Sequence, residues 1–386
     1  MELKEAYNKH EAVNMQNQWK KTHLFMICSM KSGEGITSSN IHEGDKYPCY
    51  GGNGLRGYTN SYTHKGSFTL IGRQGALCGN VLFVEGEFFA SEHAVVVTPS
   101  KQTDIRWLSY ALDRMNLNQY SESSAQPGLS VKKLLSLEVY SPPTKIEQSS
   151  IAKTLNDADA WIHSLTQLIT KKRQIKQGAM QTLLNPYENG KLKKGWVKTK
   201  LAVMAEIVTG NTPATSDKSN YGDKYLFVSP GDLGKDKWIK DTEKKLSRKG
   251  FNLCRKFPAS SILFTCIGST IGKAGMAIEE LTSNQQINAI LPNENYSSEF
   301  LYYFLVLAAP KIRVSASEQA VPIINKSQFG DVTIFIPSEI NEQASISNVL
   351  SDMDKEIIEL EAKLSKAKQI KQGMMQNLLT GRIRLI

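Results

Sequence analysis

The run from Gly268 to Lys273, Gly-Ser-Thr-Ile-Gly-Lys, has the residue types of a phosphate-binding loop. Such a loop needs four residues between its two glycines, and a Ser or Thr directly after the lysine to help hold Mg²⁺. Here three residues separate Gly268 from Gly272, and Ala274 follows the lysine. We therefore reject nucleotide binding at this segment.

Asn185-Pro186-Tyr187 resembles part of the catalytic tetrapeptide of adenine methyltransferases, but the second proline is missing and the segment follows a predicted helix instead of a strand. A turn in a linker is the better interpretation. The sequence also lacks an H-E-x-x-H motif, a G-x-S-x-G motif and any Cys and His cluster with metal-ligand spacing. It predicts no catalytic residue and no metal ligand.

Length and charge limit the possible classes of protein. The chain has 386 residues, which favours two or three domains, and a formal net charge of +10, which favours an acidic partner such as nucleic acid. No apolar run reaches the ~18 residues of a membrane span, and the polar N-terminus is unlike a signal peptide. We therefore expect a cytoplasmic protein. Its five cysteines form no C-x-x-C pair, so we expect them to be reduced and structural.

Polar side chains collect in the glycine-rich segments of two regions. In the first region, residues 47–58 contain four glycines and predict a loop, and a strand at 67–71 runs into Gly72-Arg73-Gln74-Gly75. In the second region, a strand runs into the segment from Gly268 to Gly272, and further polar residues lie just before or within a strand near residues 287–291. The candidate binding residues are Asn53, Arg56, Tyr58, Arg73, Gln74 and His93 in the first region and Ser269, Thr270, Asn284, Gln285, Gln286 and Asn288 in the second.

One stretch of 37 residues occurs twice. Residues 148–184 return as residues 343–379 with 18 identical positions and no gap. Apolar residues recur in both copies at intervals that alternate between four and three, which is the spacing of a coiled-coil seam. The predicted seam residues are Ile151, Leu155, Ile162, Leu165 and Ile169 in the first copy and Ile346, Leu350, Ile357, Leu360 and Leu364 in the second. Each copy therefore predicts a long helix that packs against a partner helix.

Both copies contain a glycine, Gly178 and Gly373, near their ends. Glycine in a helix interior costs ~1 kcal/mol relative to alanine. Its presence in both copies favours either a close backbone approach or a fraying last turn, and the sequence does not decide between them.

The regions before the two helices follow a common plan. Trp19-Lys20-Lys21-Thr22 opens the first and Trp196-Val197-Lys198-Thr199 opens the second, and each closes with a strand before a proline. The second region is longer by 17 residues from its tryptophan to its closing proline. The scaffold is therefore duplicated, whereas the loops differ.

This arrangement resembles the specificity subunit of a type I restriction-modification enzyme. The resemblance covers nearly the whole chain and depends on the paired Trp openings, the closing prolines and the long helices that end in Gln-Ile-Lys-Gln-Gly-x-Met-Gln-x-Leu-Leu. It implies an α+β fold, in which two globular α/β target-recognition domains are separated by two long antiparallel coiled-coil helices related by a pseudo-two-fold repeat. The implied domains are an N-terminal arm (1–18), a first recognition domain (19–142), a central helix (143–185), a linker (186–195), a second recognition domain (196–336) and a C-terminal helix (337–386).

The resemblance also implies partners. Each recognition domain would read one half of a bipartite site in double-stranded DNA, with two modification (methyltransferase) subunits and restriction (translocase and nuclease) subunits bound to the chain. S-adenosylmethionine, ATP and Mg²⁺ would belong to those subunits, and this chain would hold no cofactor of its own. The candidate binding residues fit this role, because Arg reads guanine, Asn or Gln reads adenine, and glycine allows close backbone approach.

Two other classes of function stay open at this stage. The chain could be a self-contained modification enzyme or nuclease with an unrecognised active site, although the missing cofactor motifs argue against that. It could also be a coiled-coil assembly protein that does not bind DNA, which an even spread of the basic excess would favour. An assay of the purified chain alone for methyl transfer separates the first class from a recognition subunit.

Overall fold

The computed structural model describes residues 18–75, 77–121, 127–316 and 322–385. The chain divides into two compact units. The first unit comprises the described residues up to Gln167 and those from Ala362 onward, and the second unit is Leu168–Glu361. Each unit thus contains one globular region and one half of each long helix. The N-terminal arm predicted for residues 1–18 lies, except for Gln18, outside the described residues.

Both copies of the repeated stretch are helical. They form α4 (Lys145–Leu183) and α9 (Ile340–Leu378), each of 39 residues. The shorter helices of the first unit are α1 (Leu24–Ile27), α2 (Ile105–Arg114) and α3 (Val131–Ser136). Those of the second unit are α5 (Leu201–Met204), α6 (Arg248–Leu253), α7 (Ser298–Val314) and α8 (Lys326–Gly330).

Strands form the rest of each scaffold. The strands of the first unit are β1 (Lys20–His23), β2 (Cys28–Ser32), β3 (Tyr47–Gly51), β4 (Gly54–Thr59), β5 (His64–Gly72), β6 (Val81–Ala90), β7 (Ala94–Pro99) and β8 (Glu138–Ser141). Those of the second unit are β9 (Tyr187–Glu188), β10 (Lys191–Leu192), β11 (Trp196–Lys200), β12 (Ile207–Thr209), β13 (Tyr221–Gly222), β14 (Tyr225–Val228), β15 (Trp238–Ile239), β16 (Lys244–Leu246), β17 (Ile262–Thr265), β18 (Ala274–Ala277), β19 (Thr282–Ser283), β20 (Ile287–Ile290) and β21 (Thr333–Pro337).

The main sheet of the first unit has the strand order β2-β7-β5-β6-β3-β4, and only the β3 and β6 pair is parallel. In the long β5 and β6 ribbon, Gly66 faces Gly86, with φ angles of 127° and 97°. Such angles are strained for residues with a side chain, so glycine allows the ribbon to bend here. The end of β6 reaches the backbone after β2, where the Glu34 amide donates to the Ala90 carbonyl at 2.9 Å. The sheet therefore curls back towards its own first edge.

The sheets of the second unit repeat this topology in two parts. The order β12-β20-β17-β18 matches β2-β7-β5-β6, and the order β19-β14-β16 matches β6-β3-β4, including a parallel pair. The single strand β6 thus corresponds to two strands, β18 and β19. Strands β13 and β15 and helix α6 are additions to the second unit, which is consistent with its greater length.

A two-stranded antiparallel sheet closes each globular region. β1 pairs with β8 and β11 pairs with β21, which brings the opening tryptophan segment beside the strand that precedes the helix. The predicted fold class is therefore confirmed: each unit mixes helices and sheets, and the two units share one plan.

The long helices belong to the apolar cores of the units. In the first unit, Ile151 and Leu155 are fully buried among Trp107, Leu108 and Leu378. In the second unit, Leu350 is fully buried in a core that contains Phe300, Tyr303 and Met180. The remaining predicted seam residues are buried (Leu165, Ile169, Ile357 and Leu360) or half-buried (Ile162, Ile346 and Leu364).

Ion pairs fix the direction of the helices in each unit. In the first unit, Glu147 pairs with Arg384 just beyond α9, at 2.8 Å, and Asp159 pairs with Lys371 at 2.6 Å. In the second unit, Lys172 pairs with Glu356 at 2.6 Å and Lys176 pairs with Asp354. Residue numbers fall along α9 as they rise along α4, so the helices run antiparallel in both units.

The same hydrogen bonds join the helix to the globular region in both units. Trp19 Nε1 donates to Glu147 Oε1 at 3.2 Å, and Trp196 Nε1 donates to Glu342 Oε1 at 3.1 Å. A glutamine in the next position accepts from the residue that caps α2 or α7: the Asp104 amide donates to Gln148, and the Ser297 amide donates to Gln343, both at 2.8 Å. The repeated tryptophan therefore has a structural reason, because its indole ties the domain opening to the start of the helix.

A tyrosine, an aspartate and a lysine form a second duplicated contact. Tyr110 donates to Asp159 Oδ2 at 2.7 Å, and Tyr303 donates to Asp354 Oδ2 at 2.6 Å. In each unit the lysine paired with that aspartate also lies 5.4 Å from the centre of the tyrosine ring. Burial raises the pKa of both tyrosines, and the hydrogen bond to a carboxylate raises it further. Both tyrosines therefore stay protonated donors at neutral pH.

Replacing either tyrosine with phenylalanine tests this contact. We expect Tyr110→Phe and Tyr303→Phe each to lower the free energy of unfolding by ~1.5–3 kcal/mol, because each removes a hydrogen bond to a charged group. Urea denaturation followed by circular dichroism measures the change, and Tyr62→Phe is the control because the Tyr62 side chain is exposed. Losses as small as that of the control would contradict a stabilising role.

Two local expectations need correction. The prediction that residues 47–58 form a loop is wrong, because β3 and β4 make a hairpin there, with Gly54 at a φ of 87° in the tight turn. The glycines made this segment resemble a loop, although several of them lie in the tight turn or beside the irregular pairing of β3 with β4. A Cβ atom added to Gly178 or Gly373 would have no neighbour within 4 Å apart from the adjoining backbone of its own helix. Both helices continue beyond the glycine. The structure thus shows neither a close approach nor a frayed turn there.

All five cysteines are free and buried, as expected for structural thiols. Burial raises the pKa of Cys28 and of Cys266 to about 12, so both thiols are protonated and unreactive at neutral pH.

Candidate nucleic-acid interface

Three segments of the first unit meet beside the ends of β2, β5 and β7. They are residues 33–34 after β2, 73–75 after β5 and 91–93 before β7, and we call them together the first frame. The Arg73 amide donates to the His93 carbonyl at 2.8 Å, and the Glu34 amide donates to the Ala90 carbonyl. Residues 127–129 support the middle segment, since the Gly75 amide donates to the Pro127 carbonyl at 3.0 Å. Backbone bonds therefore hold the frame whatever its side chains are.

The second unit builds the same frame from residues 210–211, 266–268 and 284–286. The Cys266 amide donates to the Gln286 carbonyl at 2.8 Å, and the Asn211 amide donates to the Ser283 carbonyl at 3.0 Å. The Gly268 amide donates to the Pro322 carbonyl at 2.9 Å. We call these segments the second frame.

The matching bonds define which residues occupy equivalent positions. Gly75 and Gly268 correspond, with φ angles of 89° and 91°. The other matched positions hold different side chains: Glu34 and Asn211, Arg73 and Cys266, Gln74 and Ile267, Glu92 and Gln285, and His93 and Gln286. One backbone arrangement thus presents two unlike sets of side chains.

Glycine is required where the frame segments cross. A Cβ atom on Gly33 would lie 2.2 Å from the Ala90 carbonyl oxygen, and one on Gly210 would lie 2.2 Å from the Asn284 carbonyl oxygen. Any side chain at these two positions would push the segments apart. The frames are therefore close-packed backbone structures.

The β3 and β4 hairpin extends the first frame. A Cβ atom on Gly52 would lie 3.0 Å from the Gln74 carbonyl oxygen, so the turn that carries Asn53 sits directly against the frame. Asn53 and Arg56 are exposed, and Tyr58 is half-buried further along β4.

The other predicted residues of the first unit lie in the frame itself. Gln74 is exposed, and its Oε1 lies 3.2 Å from His93 Nδ1. His93 Nε2 lies 3.3 Å from Glu92 Oε1. Arg73 is half-buried and donates to Ser32 Oγ at 3.3 Å, which holds its guanidinium near the end of β2. Gln74 and His93 therefore form one polar cluster, and Arg73 lies beside Ser32 in the same frame.

In the second unit, the predicted polar run before β20 lies in the frame. Gln285 is exposed and accepts from Thr212 Oγ1 at 2.6 Å. Asn284 Nδ2 donates to Gln286 Oε1 at 3.0 Å, so these two amides orient each other. Ser269 is exposed and Thr270 is half-buried in the turn that follows Gly268. The structure thus brings these five side chains to the second frame.

Asn288 lies apart from this surface. It is 3% exposed in β20, and its Oδ1 accepts from Thr209 Oγ1 at 2.7 Å. We therefore leave it out of the proposed interface and assign it a role in holding β12 to β20.

Sequence reasoning missed several residues beside the frames. Glu34 and Glu92 in the first unit and Asn211, Thr212 and Arg255 in the second lie in or against the frame segments. Glu92 and Asn211 could have been found, because each adjoins a glycine or a candidate residue at the end of a strand. Arg255 could not, because it lies 44 positions from Asn211 along the chain, and tertiary hydrogen bonds such as that from its amide to Asn211 Oδ1, at 2.7 Å, place it there.

Comparison with known proteins identifies the family. The family profile described as the type I restriction modification DNA specificity domain matches residues 16–177 and again residues 193–372. The chain belongs to this family. The two matches correspond to the duplicated regions with their helices, so each repeat is one specificity domain.

Named relatives agree with the family assignment. The chain is 45% identical to the type I restriction enzyme EcoprrI specificity subunit of Escherichia coli over 153 residues, which are 39% of this chain and 38% of that protein. It is 34% identical to the HindI specificity subunit of Haemophilus influenzae over 38% of this chain and 33% of that protein. These matches span about two-fifths or less of the length of either relative.

A solved structure shares the fold of the whole specificity chain. The crystal structure of a type I restriction-modification system S subunit from M. genitalium superposes with a TM-score of 0.69, at 18% sequence identity. It covers 94% of this chain, and this chain covers 96% of it. The two-unit plan is therefore a fold of this family.

The described residues contain neither a cluster of metal ligands nor a membrane-spanning helix. No group of three or more His, Cys, Asp and Glu side chains in that part of the chain is placed to hold a metal ion. Within the same ranges, no helix combines the length and the apolar character needed to cross a bilayer.

Proposed function

We propose that this chain is the DNA-reading subunit of a type I restriction-modification complex. The first frame, with Asn53, Arg56 and Tyr58 of the adjoining hairpin, reads one half of a bipartite site, and the second frame reads the other half. The observation that carries the proposal is that one hydrogen-bonded backbone frame is built twice with different exposed side chains. Recognition of base edges requires polar side chains that differ between sites and are held by a fixed backbone.

The chemistry of the side chains supports this role. Gln74, Asn53, Gln285 and Gln286 carry amides that can pair with adenine, and Arg56 and Arg73 carry guanidinium groups that can pair with guanine. The carboxylates of Glu34 and Glu92 can accept from the cytosine amino group. The first frame therefore has groups for several bases, whereas the second is dominated by amides and hydroxyls.

Catalysis belongs, on this proposal, to other chains. Modification subunits would transfer a methyl group to adenine N6 from S-adenosylmethionine, and restriction subunits would use ATP and Mg²⁺ for translocation and cleavage. The identical Trp, Gln and Tyr contacts of α4 and α9 give both units the same junction between helix and domain. Two modification subunits could therefore dock in the same manner.

A methyl-transfer assay tests this division of labour. The purified chain alone should transfer no methyl group to duplex DNA, whereas the chain with its modification subunits should methylate adenine. Methyl transfer by the chain alone would favour a self-contained enzyme. Methylation by the modification subunits without the chain would show that target reading lies elsewhere.

A matched pair of substitutions separates reading from folding. Gln285→Ala should weaken binding to the specific site by ~1–3 kcal/mol, the value of a good bidentate base contact, and leave stability unchanged because Gln285 is exposed. Asn288→Ala should lower the free energy of unfolding by ~1–3 kcal/mol, because it removes the buried amide that accepts from the half-buried Thr209 hydroxyl.

Fluorescence anisotropy with specific and scrambled duplexes measures the first effect, and urea denaturation measures the second. If Gln285→Ala weakened binding to the specific and the scrambled duplex equally, Gln285 would not contribute to base reading.

A further inference from the structure

The second unit carries far more positive charge beside its frame than the first unit does. Residues 211–256 connect the first segment of the second frame to the region before β17. They contain 11 Lys and Arg residues and 6 Asp and Glu residues. The corresponding residues 34–63 of the first unit contain two against three. Half of the net charge of the chain therefore belongs to one segment of the second unit.

Within this segment, residues 248–256 contain four basic residues and no acidic residue. We call them the basic segment, and Arg248, Lys249, Arg255 and Lys256 are all exposed. Lys249 pairs with Asp217 at 2.8 Å, and its hydrogen bond, together with two from Ser219, lowers the pKa of that carboxyl to about 2. It therefore has less charge to offer a ligand than its neighbours.

The contacts of Arg255 and Lys256 are with neutral groups. Arg255 Nη1 donates to the Thr209 carbonyl at 2.6 Å, and Lys256 Nζ donates to Asn252 Oδ1 at 3.3 Å. Lys256 Nζ also lies 4.9 Å from the centre of the Phe251 ring. These contacts hold the two side chains in place, and no carboxylate among the described residues pairs with either positive charge.

The basic segment is fastened directly to the second frame. Asn211 Nδ2 donates to the Leu253 carbonyl at 3.2 Å, and Asn211 Oδ1 accepts from the Arg255 amide at 2.7 Å. The neighbouring Thr212 donates to Gln285. One short chain of contacts thus links the charges of the basic segment to the residues that would read bases.

At two matched positions the first frame carries carboxylates where the second frame carries amides. Glu34 occupies the position of Asn211, and Glu92 occupies the position of Gln285. Two carboxylates near a DNA backbone repel phosphate, whereas amides do not. These two positions of the first frame therefore disfavour phosphate, although Arg73 of the same frame carries a positive charge.

We propose that Arg248, Arg255 and Lys256 bind backbone phosphates of the DNA beside the half-site read by the second frame. The second unit then supplies most of the salt-dependent, sequence-independent affinity, and the first unit contributes mainly discrimination between sequences. This inference rests on the proposed function, because the partner is duplex DNA.

The salt dependence of DNA binding tests the proposal. The full chain is mixed with a duplex of about 30 base pairs without the target sequence, and the association constant is measured by anisotropy from ~50 to ~200 mM KCl. Each lost phosphate contact reduces the slope of log K against log salt by ~0.9, so Arg248→Gln, Arg255→Gln and Lys256→Gln together should reduce it by ~2.7. Thermal melting confirms that the variant is folded.

Two further variants control for folding and for net charge. Because Arg255 also bonds the backbone of β12, Arg248→Gln with Lys256→Gln repeats the test without it and should reduce the slope by ~1.8. Lys31→Gln, Lys46→Gln and Lys65→Gln make the same change in net charge at exposed positions of the first unit and should alter the slope by less than ~0.9.

The outcomes separate the charge asymmetry between the units from DNA binding itself. An unchanged slope in the second-unit variants, or an equal fall in the first-unit variant, would overturn the asymmetry while DNA binding itself stands. A wild-type chain that binds no DNA at any salt concentration, alone or with its modification subunits, would overturn the proposed function and this inference with it.

Discussion

Leu155→Asp and Leu350→Asp should each unfold one unit of the protein. The two leucines occupy the same position of the repeat and are both 0% exposed. A buried carboxylate without a partner is strongly disfavoured, and the loss of a buried leucine side chain alone costs ~2–5 kcal/mol. We therefore expect a loss of more than ~4 kcal/mol in the free energy of unfolding of the affected unit.

Guanidinium chloride denaturation followed by circular dichroism measures this effect. Val349→Asp is the matched control for Leu350→Asp, since Val349 is the neighbouring residue and is 46% exposed. Leu155 packs in the core of the first unit and Leu350 in that of the second, so each variant should lose a different part of the unfolding transition. A stable Leu350→Asp variant, no more affected than the control, would mean that the helix does not belong to the core.

Exchange of the first recognition domain should change one half-site and leave the other intact. Residues 19–142 begin and end at the β1 and β8 pair, so both junctions of the exchange lie in one small sheet. We expect affinity for the original site to fall towards non-specific binding, by ~10³-fold or more, because half of the base contacts are lost. A hybrid site with the donor's first half and the original second half should restore it.

The donor domain must keep the contacts that hold it to the helix. These are the indole of Trp19 on Glu147, the N-cap amide of Asp104 on Gln148 and the hydroxyl of Tyr110 on Asp159. A donor that lacks them would fail for reasons of stability, which thermal melting detects. The same exchange of residues 196–336 is the reciprocal control, and a change in both half-sites after either exchange would contradict separable reading.

The sequence was sufficient to predict the helices and their buried face. Apolar spacing predicted a buried face because a helix repeats its contacts every three to four residues, and all ten predicted seam residues are buried or half-buried. The two tryptophan openings could also be recognised in the sequence. Their indole contacts with Glu147 and Glu342 could not be predicted from it. Each contact joins residues more than 120 positions apart, and no local pattern encodes it.

The correspondence between the frames could not be predicted from the sequence. Gly33 and Gly210 differ by 177 positions, Gly75 and Gly268 by 193, and Asp159 and Asp354 by 195. Insertions of different length therefore separate the matched segments, and a comparison without gaps finds only the helices. Backbone hydrogen bonds restore the alignment because they do not depend on side-chain identity.

The candidate binding residues differ in whether the structure buries or exposes them. Asn288 had the same residue type and sequence neighbourhood as Asn284, yet it faces Thr209 inside the sheet. Strand alternation places neighbours on opposite faces, but the start of β20 had to be known before the faces could be assigned. Side chains just outside the strand, such as Gln285, were easier to place.

The selection of bound sequences from random duplexes tests whether each unit reads one half-site. The chain with its modification subunits is incubated with a pool of random double-stranded DNA, and the bound molecules are sequenced after several rounds. We expect two short conserved blocks separated by an unspecified spacer of constant length, one block for each frame. Gln285→Ala should relax preference within one block only. A single continuous conserved block, or two blocks that both change in this variant, would contradict the reading of one half-site by each unit.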